Sequence, residues 1–240
     1  QFINIRYGRK AQIVVSLVAI IYMSAFLVAE FASINFLFPS IAEVSGLRIM
    51  ILVGAFTYAY LKKSGFKASY ITDKFQGIGI ILLLIVLFSI WFNQNSFGEI
   101  VNYSKLGGLG TFETFSLKSA LAVILAVTAA EIFSQGYWQR TFSAKNEKTI
   151  KKASVISAIG AFLTILLIGV AGDVGAGKGL ESPTLSFIGQ LDLNLFSSVL
   201  LVSLCTLLVA SSIDTLENAI SSTISLDLIG KGAKEAQYIT

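Results

Sequence analysis

Histidine is absent from the sequence. Its absence removes the commonest zinc ligand and the usual general base of neutral-pH catalysis. A single cysteine, Cys205, excludes an intrachain disulfide. Charged residues make up 13% of the chain, about half of the roughly 25% carried by soluble domains. Only two prolines occur in 240 residues, so the apolar runs are long and seldom interrupted. What fills the space is hydrophobic: 55% of residues, with a mean hydropathy of +0.77. These proportions predict an all-α, polytopic transmembrane helical bundle, a single transmembrane domain over residues 1–240. The lipid bilayer is then the first partner. The net charge of +4 comes from lysines between the apolar runs and gives no reason to expect nucleic-acid binding.

A crossing takes about 20 apolar residues. Six segments qualify: 11–38, 47–61, 75–92, 117–137, 153–172 and 195–228, of which the second is short and the sixth long enough to tilt or project. Fourteen of the 18 basic residues fall in segments 1–10, 62–74, 139–152 and 230–240. The alternate connections hold only Arg48, Lys105, Lys118 and Lys178. By the positive-inside rule both chain ends are cytoplasmic, and the plasma membrane is the expected location. The two outer connections, 93–116 and 173–194, are rich in Gly, Ser and Asn and are read as loops. The chain opens at Gln1 and closes at Thr240 in mid-phrase, which reads as a domain incomplete at both ends.

Gly172-Asp173-Val174-Gly175-Ala176-Gly177-Lys178-Gly179 has the look of a phosphate loop, but Gly179 stands where magnesium needs Ser or Thr. No strand precedes it, so nucleotide binding is set aside. An intramembrane protease is also set aside, because Gly169-Val170-Ala171-Gly172-Asp173 lacks the Gly-x-Gly-Asp pattern. No enzymatic activity is expected and no cofactor is called for.

Polarity inside the spans is the stronger signal. A charge at mid-bilayer costs about 2.5–3.5 kcal/mol on insertion scales, so such residues mark ion paths, cavities or buried pairs. Glu30, Glu131, Asp214 and Glu217 lie in or at the edge of spans, and Asp73 sits at the cytoplasmic mouth of the third. Asp214 has Ser211 one turn before it and Thr215 beside it, a set of oxygens suited to a hard monovalent cation. A second concentration runs from Glu131 through Ser134, Gln135, Gly136 and Tyr137 to Arg140. Unwound backbone there is tolerated only beside a cavity or within protein, and Ser134 and Gln135 are placed to face a solute.

Four stretches carry a resemblance. They are Gly65-Phe66-Lys67-Ala68-Ser69-Tyr70-Ile71-Thr72-Asp73-Lys74-Phe75-Gln76 and Gln139-Arg140-Thr141-Phe142-Ser143-Ala144-Lys145, with Ser211-Ser212 followed by Ser221-Ser222 and Asp227-Leu228, and Arg6-Tyr7-Gly8. In order and spacing they resemble the sodium:solute symporter family, with Ser64 in place of the first glycine of its Gly-Gly-x-x-Ala-x-x-x-Thr-Asp-x-x-Gln motif. The resemblance covers nearly the whole chain and implies core helices three to eight of a ten-helix inverted-repeat transporter, whose sites lie near the bilayer midplane.

By that resemblance the function is sodium-coupled symport of a small polar solute by alternating access. Sodium is the coupling ion, and the solute is of the urea, amino acid, polyamine or sugar class. The main sodium site takes the hydroxyls of Ser211 and Ser212 and the carbonyl of Leu208. A deeper one takes Asp73, Ser211, Asp214 and Thr215, where the family usually has a small hydroxyl residue in place of Asp214. Solute contacts fall to Ser134, Gln135, Glu131 and Tyr137. The wording Gln135-Gly136-Tyr137-Trp138-Gln139-Arg140 is nearest the urea and polyamine branch, which brings in proton coupling as an alternative. A truncated or degenerate symporter with a structural or sensing role is the other alternative.

Overall fold

A computed structural model describes residues 2–41, 44–110, 114–180 and 187–230. Lys231 and Lys234 of the terminal basic segment lie outside them, as do the side chains of Lys63, Ser64, Phe66 and Ala68.

Apolar runs without internal breakers become long helices. The order is α1 (Phe2–Ile41), α2 (Gly46–Gln94), α3 (Phe97–Gly107), α4 (Thr114–Glu131), α5 (Gln135–Phe142), α6 (Glu147–Gly177) and α7 (Leu195–Ser222). A short 3-10 turn, Ile188–Gln190, precedes α7, and a π-helical extension, Thr223–Ile229, follows it. α1 is broken at Gly8 (φ 84°, ψ 172°), so its apolar part starts behind the Arg-Tyr-Gly stretch. Asn146 and Asn194 cap α6 and α7 by accepting the N–H groups of Thr149 and Ser197, each at 2.9 Å.

Two features depart from the sequence reading. Segment 47–61, the basic connection 62–74 and segment 75–92 lie in one helical stretch. Together they make up most of the 49-residue α2, which is bent: Tyr60 and Thr72, about 18 Å apart along a straight helix, both reach Oδ2 of Asp214. The basic stretch 62–74 holds no proline to stop a helix and continues it. The outer connection 93–116 likewise contains α3, opened by a reciprocal cap: Ser96 donates to the Glu99 carboxylate from its hydroxyl (2.7 Å) and its N–H (2.8 Å), and accepts the Glu99 N–H at 3.3 Å.

Among the described residues, four helices are long and apolar enough to cross a membrane, and α4 with α5 makes a fifth as a pair bent by 58°. The molecule is an all-α, polytopic helical bundle of an integral membrane protein. α7 is its hub, packed against α1, α2 and α5. The core joins Ile34 and Phe38 of α1, Leu83 and Trp91 of α2, Val174 of α6, and Leu201 and Ile213 of α7. On α4 and most of α6, apolar side chains such as Leu121, Ile124, Ile156 and Ile165 face outward, as lipid-facing surfaces do. α3 crosses the end of α6 at backbone contact. A Cβ on Gly107 would lie 1.9 Å from the Asp173 carbonyl oxygen, and one on Gly177 2.0 Å from that of Tyr103. Gly177 of the would-be phosphate loop therefore serves helix packing, and Gly172 and Gly175 lie within α6 itself.

Candidate functional site: a polar seam joining three helices

The apolar bundle carries its polar side chains where α2, α5 and α7 meet. Asp214 of α7 is fully buried and turned to α2. Its Oδ2 accepts from the Tyr60 hydroxyl at 2.5 Å and from Thr72 at 3.1 Å. Its Oδ1 accepts from Ser69 at 3.0 Å, and the neighbouring Thr215 hydroxyl lies 3.3 Å away. Hydroxyl donors from a second helix thus replace the water that the carboxylate loses on burial.

One turn of α5 away, Arg140 pairs with Asp73 of α2 at 2.5 Å. The same Arg140 nitrogen donates to Thr215 at 2.7 Å, and its other terminal nitrogen to the Gly136 carbonyl at 3.3 Å. Ser211 donates to the free oxygen of Asp73 at 3.1 Å. Close approach of α5 to α7 depends on Gly136, since a Cβ there would lie 2.9 Å from the Thr215 methyl. Further along the seam Gln139 donates to Ser222 and accepts from Asn218 at 3.0 Å.

Beyond the seam, Asp227 fastens the π-helical extension to α1. It accepts from Gln12 at 2.7 Å and from Ser16 at 3.1 Å, while Arg9 donates to the Leu228 carbonyl at 3.0 Å. Three more carboxylates line other faces of the bundle. Glu30 of α1 interacts with Ser212, Glu217 with Thr57 of α2, and Glu131, the last residue of α4, with Tyr22 of α1. One buried oxygen on each of Glu131 and Glu217 has no hydrogen-bond partner.

Of the residues expected to hold a cation, Asp73, Ser211, Asp214 and Thr215 come together. Ser212, next along α7, lies beside Glu30 of α1. Leu208 lies one turn earlier within the unbroken α7, its side chain outward and 38% exposed. Of the residues expected to meet a solute, Glu131 closes α4 and Ser134 is buried at the α4–α5 break. Gln135 and Tyr137 open α5, with the Tyr137 side chain 59% exposed.

Sequence reasoning missed Tyr60, Ser69, Thr72 and the pairing role of Arg140. Ser69, Thr72, Asp73 and Gln76 fall at i, i+3, i+4 and i+7, the spacing of one helical face. That stripe was available once 62–74 is read as helix.

No protein-family profile matches the chain, and no solved structure matches it. The chain is similar to the spermidine transporter DUR31 of Candida albicans, 28% identical over an alignment that covers 95% of this chain and 44% of that protein. It therefore spans less than half the length of that relative.

Proposed function

We propose that the chain forms the central helices of a secondary active transporter of the sodium:solute symporter type. It takes up a small polar solute, with cationic amines of the polyamine class preferred, and couples that uptake to inward sodium flow. The observation that carries this reading is the charge of the bundle interior. Among the described residues, five acidic side chains within the bundle, Glu30, Asp73, Glu131, Asp214 and Glu217, stand against one guanidinium, Arg140, already paired with Asp73. An interior so biased favours a cation over a neutral or anionic solute. The likeness to a spermidine transporter supports the same solute class.

In this reading the broken α4–α5 span faces the solute, through Ser134, Gln135 and Tyr137. Sodium is held by the Ser211 and Ser212 hydroxyls and the Leu208 carbonyl, completed by oxygens from another segment. A deeper cation position uses Asp73, Asp214 and Thr215. Inward movement of each positive charge releases about 2.3 kcal/mol per 100 mV of membrane potential. A polycation is therefore drawn strongly toward a negative interior. The location that fits is the plasma membrane, with both chain ends cytoplasmic as the lysine distribution asks.

The test is an uptake panel with the full-length protein in proteoliposomes. Spermidine, urea, an amino acid and a sugar are each offered under sodium, lithium and proton gradients. Sodium-dependent uptake that favours spermidine supports the reading, and Ser211→Ala or Ser212→Ala then raises the sodium requirement. Failure of all four solutes to enter under any gradient overturns it.

A further inference from the structure

We propose that Glu131, Tyr22 and Tyr137 form an ammonium-binding subsite that holds one charged end of a linear aliphatic amine. The inference rests on the transport reading above and assigns the group that selects the solute's charge.

Glu131 ends α4 where the span bends, and one of its carboxylate oxygens is buried without a partner. Its neighbours there are phenolic. Tyr22 of α1 and Tyr137 both lie close enough to Glu131 to feel its carboxyl. The guanidinium of the seam, Arg140, is held by Asp73 and Thr215 rather than by Glu131. A helix C-terminus adds negative partial charge at the same point. Broken helices inside membranes use such ends to hold cations.

Two features favour an ammonium on a carbon chain over a bare metal ion. Phenol rings offer faces to an alkylammonium, whose charge spreads over its attached methylenes. Apolar side chains near the carboxylate that keep exposed surface include Phe133 and Leu216, packed on the closed cluster of Ala19, Met23 and Ala219. Carboxylate and apolar side chains together match the alternation of ammonium and methylenes in a polyamine.

The experiment is equilibrium binding of radiolabelled spermidine to the purified full-length protein. Wild type is compared with Glu131→Gln, Glu131→Asp and Tyr22→Phe, each checked for monodisperse elution. Loss of a charged partner predicts affinity weaker by at least about tenfold in Glu131→Gln. Tyr22→Phe should weaken binding several-fold, and Glu131→Asp should fall between wild type and Glu131→Gln. Affinity within about twofold of wild type in Glu131→Gln, or in both other variants if that one does not fold, overturns the subsite. Absence of spermidine binding in the wild type overturns it as well. The transport reading fails separately: binding that depends on Glu131, with no uptake of any solute in the panel, leaves the subsite standing and removes the transporter.

Discussion

Arg140 on α5 pairs with Asp73 on α2 at 2.5 Å, and the nitrogen that makes the pair also donates to Thr215 on α7. One guanidinium thus ties three helices that are distant in sequence. Arg140→Ala should destabilise the protein by about 1–3 kcal/mol, below the 3–5 kcal/mol of a fully buried pair, because a third of its side chain stays exposed (33%). Thermal unfolding of Arg140→Ala, Asp73→Asn and the double variant checks this. Additive effects of the two single changes would contradict a direct pair.

Gly136 lets α5 rest on Thr215, with room for no more than a hydrogen on its α-carbon. Gly136→Ala should cost about 1–3 kcal/mol through overpacking. Adding Thr215→Ser removes the opposing methyl while keeping the hydroxyl that meets Arg140. The double variant should regain most of the lost stability in thermal unfolding. No recovery would show that the methyl contact is not what limits the packing.

Tyr60→Phe removes a donor from the fully buried Asp214. The expected loss is about 1–3 kcal/mol, the cost of an under-satisfied buried polar group. Equilibrium unfolding of Tyr60→Phe beside Tyr58→Phe, an exposed control, measures it. Equal stability of the two variants would contradict the cage around Asp214.

Outside the membrane-spanning segments, the Ser96 hydroxyl and backbone N–H hold the Glu99 carboxyl below the ordinary glutamate range. A depressed folded-state value means that this cap contributes stability above the unfolded value of about 4.3 and loses it as pH falls through the lower folded value. Carboxyl-detected NMR should give a Glu99 midpoint below the ordinary one, rising part of the way toward it in Ser96→Ala, which keeps the backbone donor. An unchanged midpoint in Ser96→Ala would contradict the cap.

Much of this was legible in the chain. Long apolar runs such as 11–38 and 195–228 left little choice but helix, and the carboxylates inside them announced a polar interior. The stripe Ser69, Thr72, Asp73, Gln76 was hidden because lysines on both sides of it read as a solvated connection. Lysine is a good helix former and can extend its charge away from an apolar helix, so the basic stretch stays helical. α3 was announced by Ser96-x-x-Glu99, a local signal masked by the surrounding Gly and Asn. Tyr22 had no such signal. A tyrosine in an apolar helix looks like any other aromatic, and only the packing of α1 beside the end of α4 brings it near a carboxylate. The pairing of Arg140 with Asp73 is non-local in the same way.

The central claim is that this bundle belongs to a transporter that concentrates a cationic amine. Its most direct test is the time course of radiolabelled spermidine in proteoliposomes of the full-length protein under an inward sodium gradient. The account predicts accumulation above the external concentration, lost when an ionophore collapses the gradient. Spermidine that does not enter, or that only equilibrates whatever the gradient, would contradict it.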